Sequence, residues 1–207
     1  KSQEELEMLA RKKVKHLYLG IESGLDDVLK FMKKDHDLAQ AYQAIDRLHE
    51  AGLIYDAHIM TGVAGKGRGM ENAEALAQFL NRTNPAHVVN FSMFLHKEVP
   101  LYQDIRQGTF VPADELETIR EEYHLIERIA PEKAGANILY DGFHDFIHVR
   151  VRGHLPGDKE KMLAKLNGII QEYEGKEPVY PFVQGECPDL EYCDDGKAVW
   201  DMDRKTS

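Results

Sequence analysis

With 207 residues, 43% hydrophobic and 30% charged, the chain has the composition of a globular domain that buries a sizeable core, not of a disordered segment. A net charge of −10, from 26 basic and 36 acidic residues, disfavours a general nucleic-acid binder, since phosphate contacts need concentrated Lys and Arg. No apolar run approaches the roughly 20 residues of a membrane span, no secretory signal is present, and two cysteines are too few for a disulfide scaffold, which together suggest a reducing cytoplasm.

In chain order, residues 2–12 carry Leu6, Leu9 and Ala10 at helical spacing. Val14 to Ile21 is a short apolar run that stops at Glu22-Ser23-Gly24 and predicts a buried strand. A helix over about 25–33 follows. Asp37 with Gln40 predicts a capping box, then an apolar stripe of Leu38, Ala41, Ile45, Leu48 and Ala51 runs up to a stop at Gly52. Residues 54–60 predict a second strand, 70–80 a helix, and 88–95 a third strand. Strands and helices alternating in this way demand crossover connections and a parallel sheet.

Beyond the third strand the pattern changes. Residues 100–102 read as irregular, 114–130 as a long helix, 138–152 as extended, His154-Leu-Pro-Gly as a turn, and 159–173 as a final amphipathic helix. The segment 176–207 is acidic, contains Pro178, Pro181 and Pro188, and shows no period, so it reads as a tail or lid. The resulting division is 1–130, 131–175 and 176–207.

Polar residues at a strand-to-helix handover lie on the catalytic face of a parallel α/β barrel, which singles out Glu22 and Ser23. Ser23 also suits a helix cap. Gly65-Lys-Gly-Arg-Gly invites a phosphate-loop reading but lacks the Lys-Ser/Thr pair that closes one. In 142–154 a straight strand would place Ile147, Val149 and Val151 on one face and His144, Phe146, His148, Arg150, Arg152 and His154 on the other. That polar face has three readings: an anion-recognising surface with Arg forks, a solvated face, or a zinc site from His144, His148 and His154 that neighbouring arginines would oppose. Cys187 and Cys193 supply too few thiolates for a cluster.

Several ordered segments resemble radical S-adenosylmethionine (SAM) enzymes. Tyr18-Leu-Gly-Ile-Glu-Ser-Gly followed by Asp27-Val-Leu-Lys-Phe-Met looks like their fourth barrel strand, and Ile59-Met-Thr-Gly-Val-Ala-Gly like the fifth strand and its turn. Pro100-Leu-Tyr with Gly108-Thr-Phe resembles the stretch after the sixth. His154-Leu-Pro-Gly-Asp-Lys-Glu-Lys is similar to the end of a subgroup distantly related to oxygen-independent coproporphyrinogen oxidase.

The likeness covers about residues 2–170. It implies an α/β fold, a partial (β/α) barrel holding strands four to six with a C-terminal extension. Such enzymes hold a 4Fe–4S cluster on a C-x3-C-x2-C loop after the first strand, and the cluster cleaves SAM to a 5′-deoxyadenosyl radical. That motif is missing here, and Lys1 is not Met, so the chain reads as the C-terminal part of a longer oxidoreductase, inactive alone.

By position, the resemblance places Glu22 and Ser23 near the ribose or methionyl group of SAM. Gly62, Val63 and Ala64 fall against adenine, and Ser92 late in the sixth strand. His144, His148, Arg150 and Arg152 become a substrate-facing wall, no residue is assigned to a resident metal, and neither SAM nor the cluster is expected to bind this fragment firmly. The partners implied are the N-terminal half of the same protein and a small-molecule substrate. The bare strand edge at 14–21 implies cover from a second copy, the tail or the extension. A non-catalytic barrel-derived module for an anionic partner, and an ordinary metal- or phosphate-dependent barrel enzyme, are the competing readings.

Overall fold

The computed structural model describes residues 1–182, 189–192 and 198–201. Helix α1 (Gln3–Arg11) is opened by a capping box in which the Ser2 hydroxyl accepts from Glu5 N–H and Glu5 reaches back to Ser2 N–H. Strand β1 (His16–Glu22) leads into the short helix α2 (Asp26–Phe31). Helix α3 (Leu38–Glu50) carries the second predicted capping box, Asp37 with Gln40, and buries Ala41, Ile45 and Leu48. Asp37→Ala is expected to cost about 1 kcal/mol, because the Gln40 N–H at the start of the helix loses its acceptor; urea unfolding of the variant checks it.

Strand β2 (Ile54–Thr61), helix α4 (Gly69–Thr83) and strand β3 (His87–Ser92) complete the predicted alternation. Helix α5 (Pro100–Arg106) occupies a stretch that reads as irregular in sequence; Pro100 sits in its first turn, where a missing N–H costs nothing. Helix α6 (Glu115–Arg128), capped by Asp114, crosses back to strand β4 (Ile138–His144).

The segment 138–152 is not one straight strand. It breaks after His144 into a 3-10 turn (Asp145–Ile147), with His148 in the left-handed region at φ 53°, and returns as strand β5 (Val149–Leu155). Helix α7 (Lys159–Tyr173) then covers β5 through Met162 and Leu166. Strands β6 (Asp189–Tyr192) and β7 (Ala198–Asp201) form a separate antiparallel pair within the segment that shows no period in sequence.

The five-stranded sheet has the order β1-β2-β3-β4-β5. Strands β1 to β4 are parallel, which adds one parallel strand to the three the sequence suggests, and β5 pairs antiparallel with β4. This is an α/β partial barrel. One face of the sheet carries Tyr55, Ala57, Ile59, Val88, Tyr140 and Val151, which join Leu76, Leu80, Ile119 and Ile126 of the helices in the main core. Each large side chain buried there stabilises the fold by about 1.5–3 kcal/mol.

Val28, Val63, Met93, Leu95, Ile105 and Phe182 form a second, smaller core. The chain from Val179 to Phe182 comes back to this region: Val179 O accepts from Glu115 N–H, and Pro181 O accepts from Leu95 N–H. Among the described residues no strand pairs with the outer edge of β1.

Candidate functional site: the strand ends and the open face

The turns that follow β1 and β2 are joined by one buried hydrogen-bond relay. Ser23 Oγ donates to Asn72 Oδ1 at 2.7 Å, and Gly24 N–H donates to the same oxygen at 3.1 Å. Asn72 Nδ2 donates to Glu121 Oε1 at 2.7 Å, while Gly62 N–H donates to Glu121 Oε2 at 2.8 Å. Ser23, Asn72 and Glu121 are all buried. Burial, relieved in part by the bonds from Asn72 and Gly62, pushes the Glu121 carboxyl up to about 7.

A second relay fastens three strands to α6. Thr61 N–H donates to Asn90 Oδ1, and Asn90 Nδ2 and the Tyr140 hydroxyl both donate to Glu122 Oε1, at 3.1 and 3.0 Å. His144 Nε2 lies 3.0 Å from Glu122 Oε2, and His144 Nδ1 lies 3.1 Å from Glu115 Oε2. Two carboxylates as partners require both ring nitrogens to donate, so His144 is an imidazolium. Burial opposes that charge, but Glu122 and Glu115 outweigh it and hold His144 up to about 10.

The face of the sheet away from the helices is lined differently. Each strand contributes one group to a continuous row. Tyr18 and His58 have ring centroids 5.0 Å apart, His58 meets Phe91 edge-on at 6.0 Å, and Phe91 stacks on Phe143 at 5.6 Å. The Arg150 guanidinium lies 4.7 Å over the Phe143 ring and binds Asp141 through two bonds of 2.8 and 2.7 Å. Arg152 approaches the same carboxylate at 3.6 Å and is 55% exposed. Lower on this face, His16 Nδ1 bonds Asp56 at 2.8 Å, and Tyr18 OH pairs with His87 Nδ1. Burial holds His87 below the usual imidazole range.

The sequence-predicted residues separate on this framework. Glu22 sits at a bulge at the end of β1 with φ 62°, and its carboxylate accepts from Lys34 Nζ at 3.0 Å on the open face. Its side chain is 23% exposed, so it remains available to a ligand. Ser23 is not available: at 0% exposure its hydroxyl is consumed by Asn72 and by Leu25 N–H. Val63 and Ala64 are packed in the second core yet line a cleft of about 370 Å³ with Val28, Phe31 and Phe110. Glu22 does not line that cleft.

Gly62, at φ 83°, closes the turn through Glu121, and Gly65 at φ 80° has the Phe110 ring against it. The segment Gly65–Gly69 forms no free anion loop, because Arg68 is held by Asp27 and Glu71. Ser92 is buried on the face it shares with Val88 and Asn90.

The predicted His/Arg face is divided by the hairpin. Arg150 and Arg152 do lie on the open face, His148 is exposed at the turn, and His144 is fully buried on the opposite side. His144 is therefore not a substrate contact but an internal ion-pair partner. Among the described residues no group of three His, Cys, Asp or Glu side chains is placed to hold a metal ion. Cys187 and Cys193 lie outside the described residues. Among the described residues no helix is long and apolar enough to cross a membrane.

Sequence reading missed Asn72, Glu121, Asp56 and Asp141. The signal available for the two aspartates was a lone carboxylate in mid-strand, a costly placement unless it has a fixed partner.

Comparison with known proteins follows the same outline. Residues 1–80 match the profile of the Radical SAM superfamily. A tRNA uridine(34) acetyltransferase of Methanocaldococcus infernus is 25% identical over 119 residues, 57% of this chain and 22% of that protein. An archaeal Elp3 structure from the same organism, lacking residues 1–46, superposes with a TM-score of 0.58 at 18% identity, over 84% of this chain and 39% of that one. The chain thus spans less than half the length of the proteins it matches. Neither is a coproporphyrinogen oxidase, and that finer likeness finds no support. The chain is similar to the Radical SAM superfamily over its first 80 residues and shares the fold of Elp3 over most of its length.

Proposed function

We propose that this chain is the C-terminal portion of a radical SAM enzyme, supplying the later strands of the barrel, part of the SAM pocket and one wall of the substrate lumen. The observation that carries this reading is the lining of the open face. A filled barrel interior is dominated by Val, Ile and Leu. Here the inward row is Tyr18, His58, Phe91, Phe143 and Arg150, with Asp141 and Arg152 beside it. Such a surface suits a ligand-holding lumen on a fold matched over residues 1–80.

Bound SAM and a 4Fe–4S cluster supply the radical that abstracts hydrogen; the cluster's cysteines are assigned to a preceding part of the protein. The residues present fit SAM in part. Glu22 offers a partly exposed carboxylate for an ammonium or ribose hydroxyl, held in place by Lys34. Val63, Ala64 and Phe110 offer apolar walls of the size an adenine needs. Ser23 and Gly62 hold the turns in shape. Arg152, exposed and only 3.6 Å from the Asp141 carboxylate, is the cation on this face for a substrate anion, while Arg150 is tied to Asp141 by two bonds and carries the Phe143 end of the ring row.

The edge of β1 would receive the preceding half-barrel. Beside it Leu6, Leu17, Leu19, Ala44 and Leu48 line a groove of about 330 Å³ that a helix of that half would fill. The whole-protein reaction is taken as oxidoreduction in the cytoplasm. The acetyltransferase relative shares only part of its length with this chain, so its tRNA substrate is a second candidate.

In the longer protein carrying the cluster loop, Glu22→Ala is expected to raise KM for SAM by about 10-fold or more, the worth of one charge-assisted hydrogen bond. Steady-state release of 5′-deoxyadenosine measures it. An unchanged KM removes Glu22 from the SAM site. Binding of acidic ligands to Arg152 without any SAM cleavage would favour the non-catalytic module instead.

A further inference from the structure

Glu121 lies on α6, outside the matched residues 1–80, yet it is the point where the two candidate cofactor turns meet. One carboxylate oxygen takes the Gly62 N–H after β2; the other takes Asn72, whose own oxygen holds Ser23 and Gly24 after β1. The packing leaves no slack. A Cβ on Gly69 would stand 3.0 Å from Glu121 Oε2, and Gly24 is pressed against the backbone of Ala75 and Leu76.

We propose that Glu121 is a positioning residue that locks the Ser23–Gly24 turn and the Gly62 turn into one unit, and does so as the ionised carboxylate. This rests on the reading of those turns as the cofactor-facing ends of β1 and β2.

The dependence on ionisation follows from donor counting. All four bonds of the relay run toward oxygen: Gly62 N–H and Asn72 Nδ2 donate to Glu121, while Ser23 Oγ and Gly24 N–H donate to Asn72 Oδ1. A proton on Glu121 Oε2 faces the Gly62 donor, and one on Oε1 faces the Asn72 amide. Asn72 cannot turn over to accept it without presenting its NH2 to Ser23 and Gly24. Either protonated form breaks one arm.

The groups that set this proton are few. From α4 there are Asn72 and the Gly69 backbone, and from the β2 turn the Gly62 N–H; none of these titrates. Glu117 on α6 repels the ionised form, and the His144 imidazolium on β4 favours it. Burial outweighs these contacts and holds the carboxyl up at about 7, so the ionised and protonated forms of the lock exchange near neutrality.

The test is site-resolved amide hydrogen exchange on the 207-residue chain between pH 6 and pH 8.5, expressed as protection factors. In the wild type, protection at 23–25 and at 62–65 should change together across this pH range. In the near-isosteric Glu121→Gln, protection in both turns should drop at least tenfold at pH 8.5 and lose its pH dependence, while α3 and the β1–β2 ladder keep theirs. Asn72→Ala, which cuts only the β1 arm, should also loosen 62–65.

Turns that respond separately, or a Glu121→Gln chain within twofold of wild type, overturn the proposal. General loss of protection, α3 included, would mark Glu121 as a fold element and also overturn it. The exchange pattern requires no SAM. Coupled turns in a longer protein that never cleaves SAM would defeat the functional reading and leave the lock standing.

Discussion

Replacing His144 with Leu is expected to destabilise the fold by about 3–5 kcal/mol, because it strands two buried carboxylates without their counter-ion. Glu115 and Glu122 both point at this ring, and all three side chains are nearly inaccessible to water. The same geometry fixes a pH signature. His144 is held up to about 10 when folded, against an ordinary value of 6.5. A raised folded value means that its stabilisation is complete below about pH 6.5 and drains away as pH rises toward 10. Urea unfolding at pH 6 and pH 9.5 should show wild type losing stability with pH while His144→Leu loses much less. A loss under 1 kcal/mol at pH 6 would contradict the ion-pair assignment.

Gly24→Ala is expected to cost about 1–3 kcal/mol through overpacking. A Cβ there would lie 2.5 Å from the Ala75 carbonyl carbon and 2.8 Å from its Cβ, and backbone cannot yield as a flexible side-chain end does. The turn after β1 and helix α4 would have to separate, and the Asn72 relay with them. Gly168→Ala is the control of opposite sign. That glycine lies inside α7 with nothing near its Cβ, so the change should stabilise by about 0.5–1 kcal/mol. Thermal unfolding of the two variants side by side checks both signs. Equal effects would mean that the close approach of Gly24 to α4 is not real.

The parallel core of the fold was legible because its signals are local. Capping at Asp37, the stripe from Leu38 to Ala51 and the stop at Gly52 specify α3 without reference to anything distant. Strand β4 was harder to place. Ile138 to Arg152 alternates convincingly as one strand, and the break after His144 depends on a long-range event, the burial of its ring between two glutamates of α6. The periodicity therefore put His144 beside Arg150 when the hairpin places them on opposite faces.

Helix α5 failed to register because seven residues beginning with proline carry little period. Glu22 does end its strand, as its sequence position implies. Ser23 was equally prominent in sequence, yet its partner Asn72 lies 49 residues away, so nothing local could separate a ligand contact from a structural lock. Glu121 shows only as one of many acidic residues on an exposed-looking helix. Its role depends on meeting Gly62 and Asn72 in space.

The most direct test of the central claim is anaerobic reconstitution of the longer protein with iron and sulfide, followed by reduction in the presence of SAM. Formation of 5′-deoxyadenosine, diminished at limiting SAM in Glu22→Ala, is the predicted result. A reconstituted protein that binds no cluster and leaves SAM intact would contradict it and reduce the likeness over residues 1–80 to one of fold.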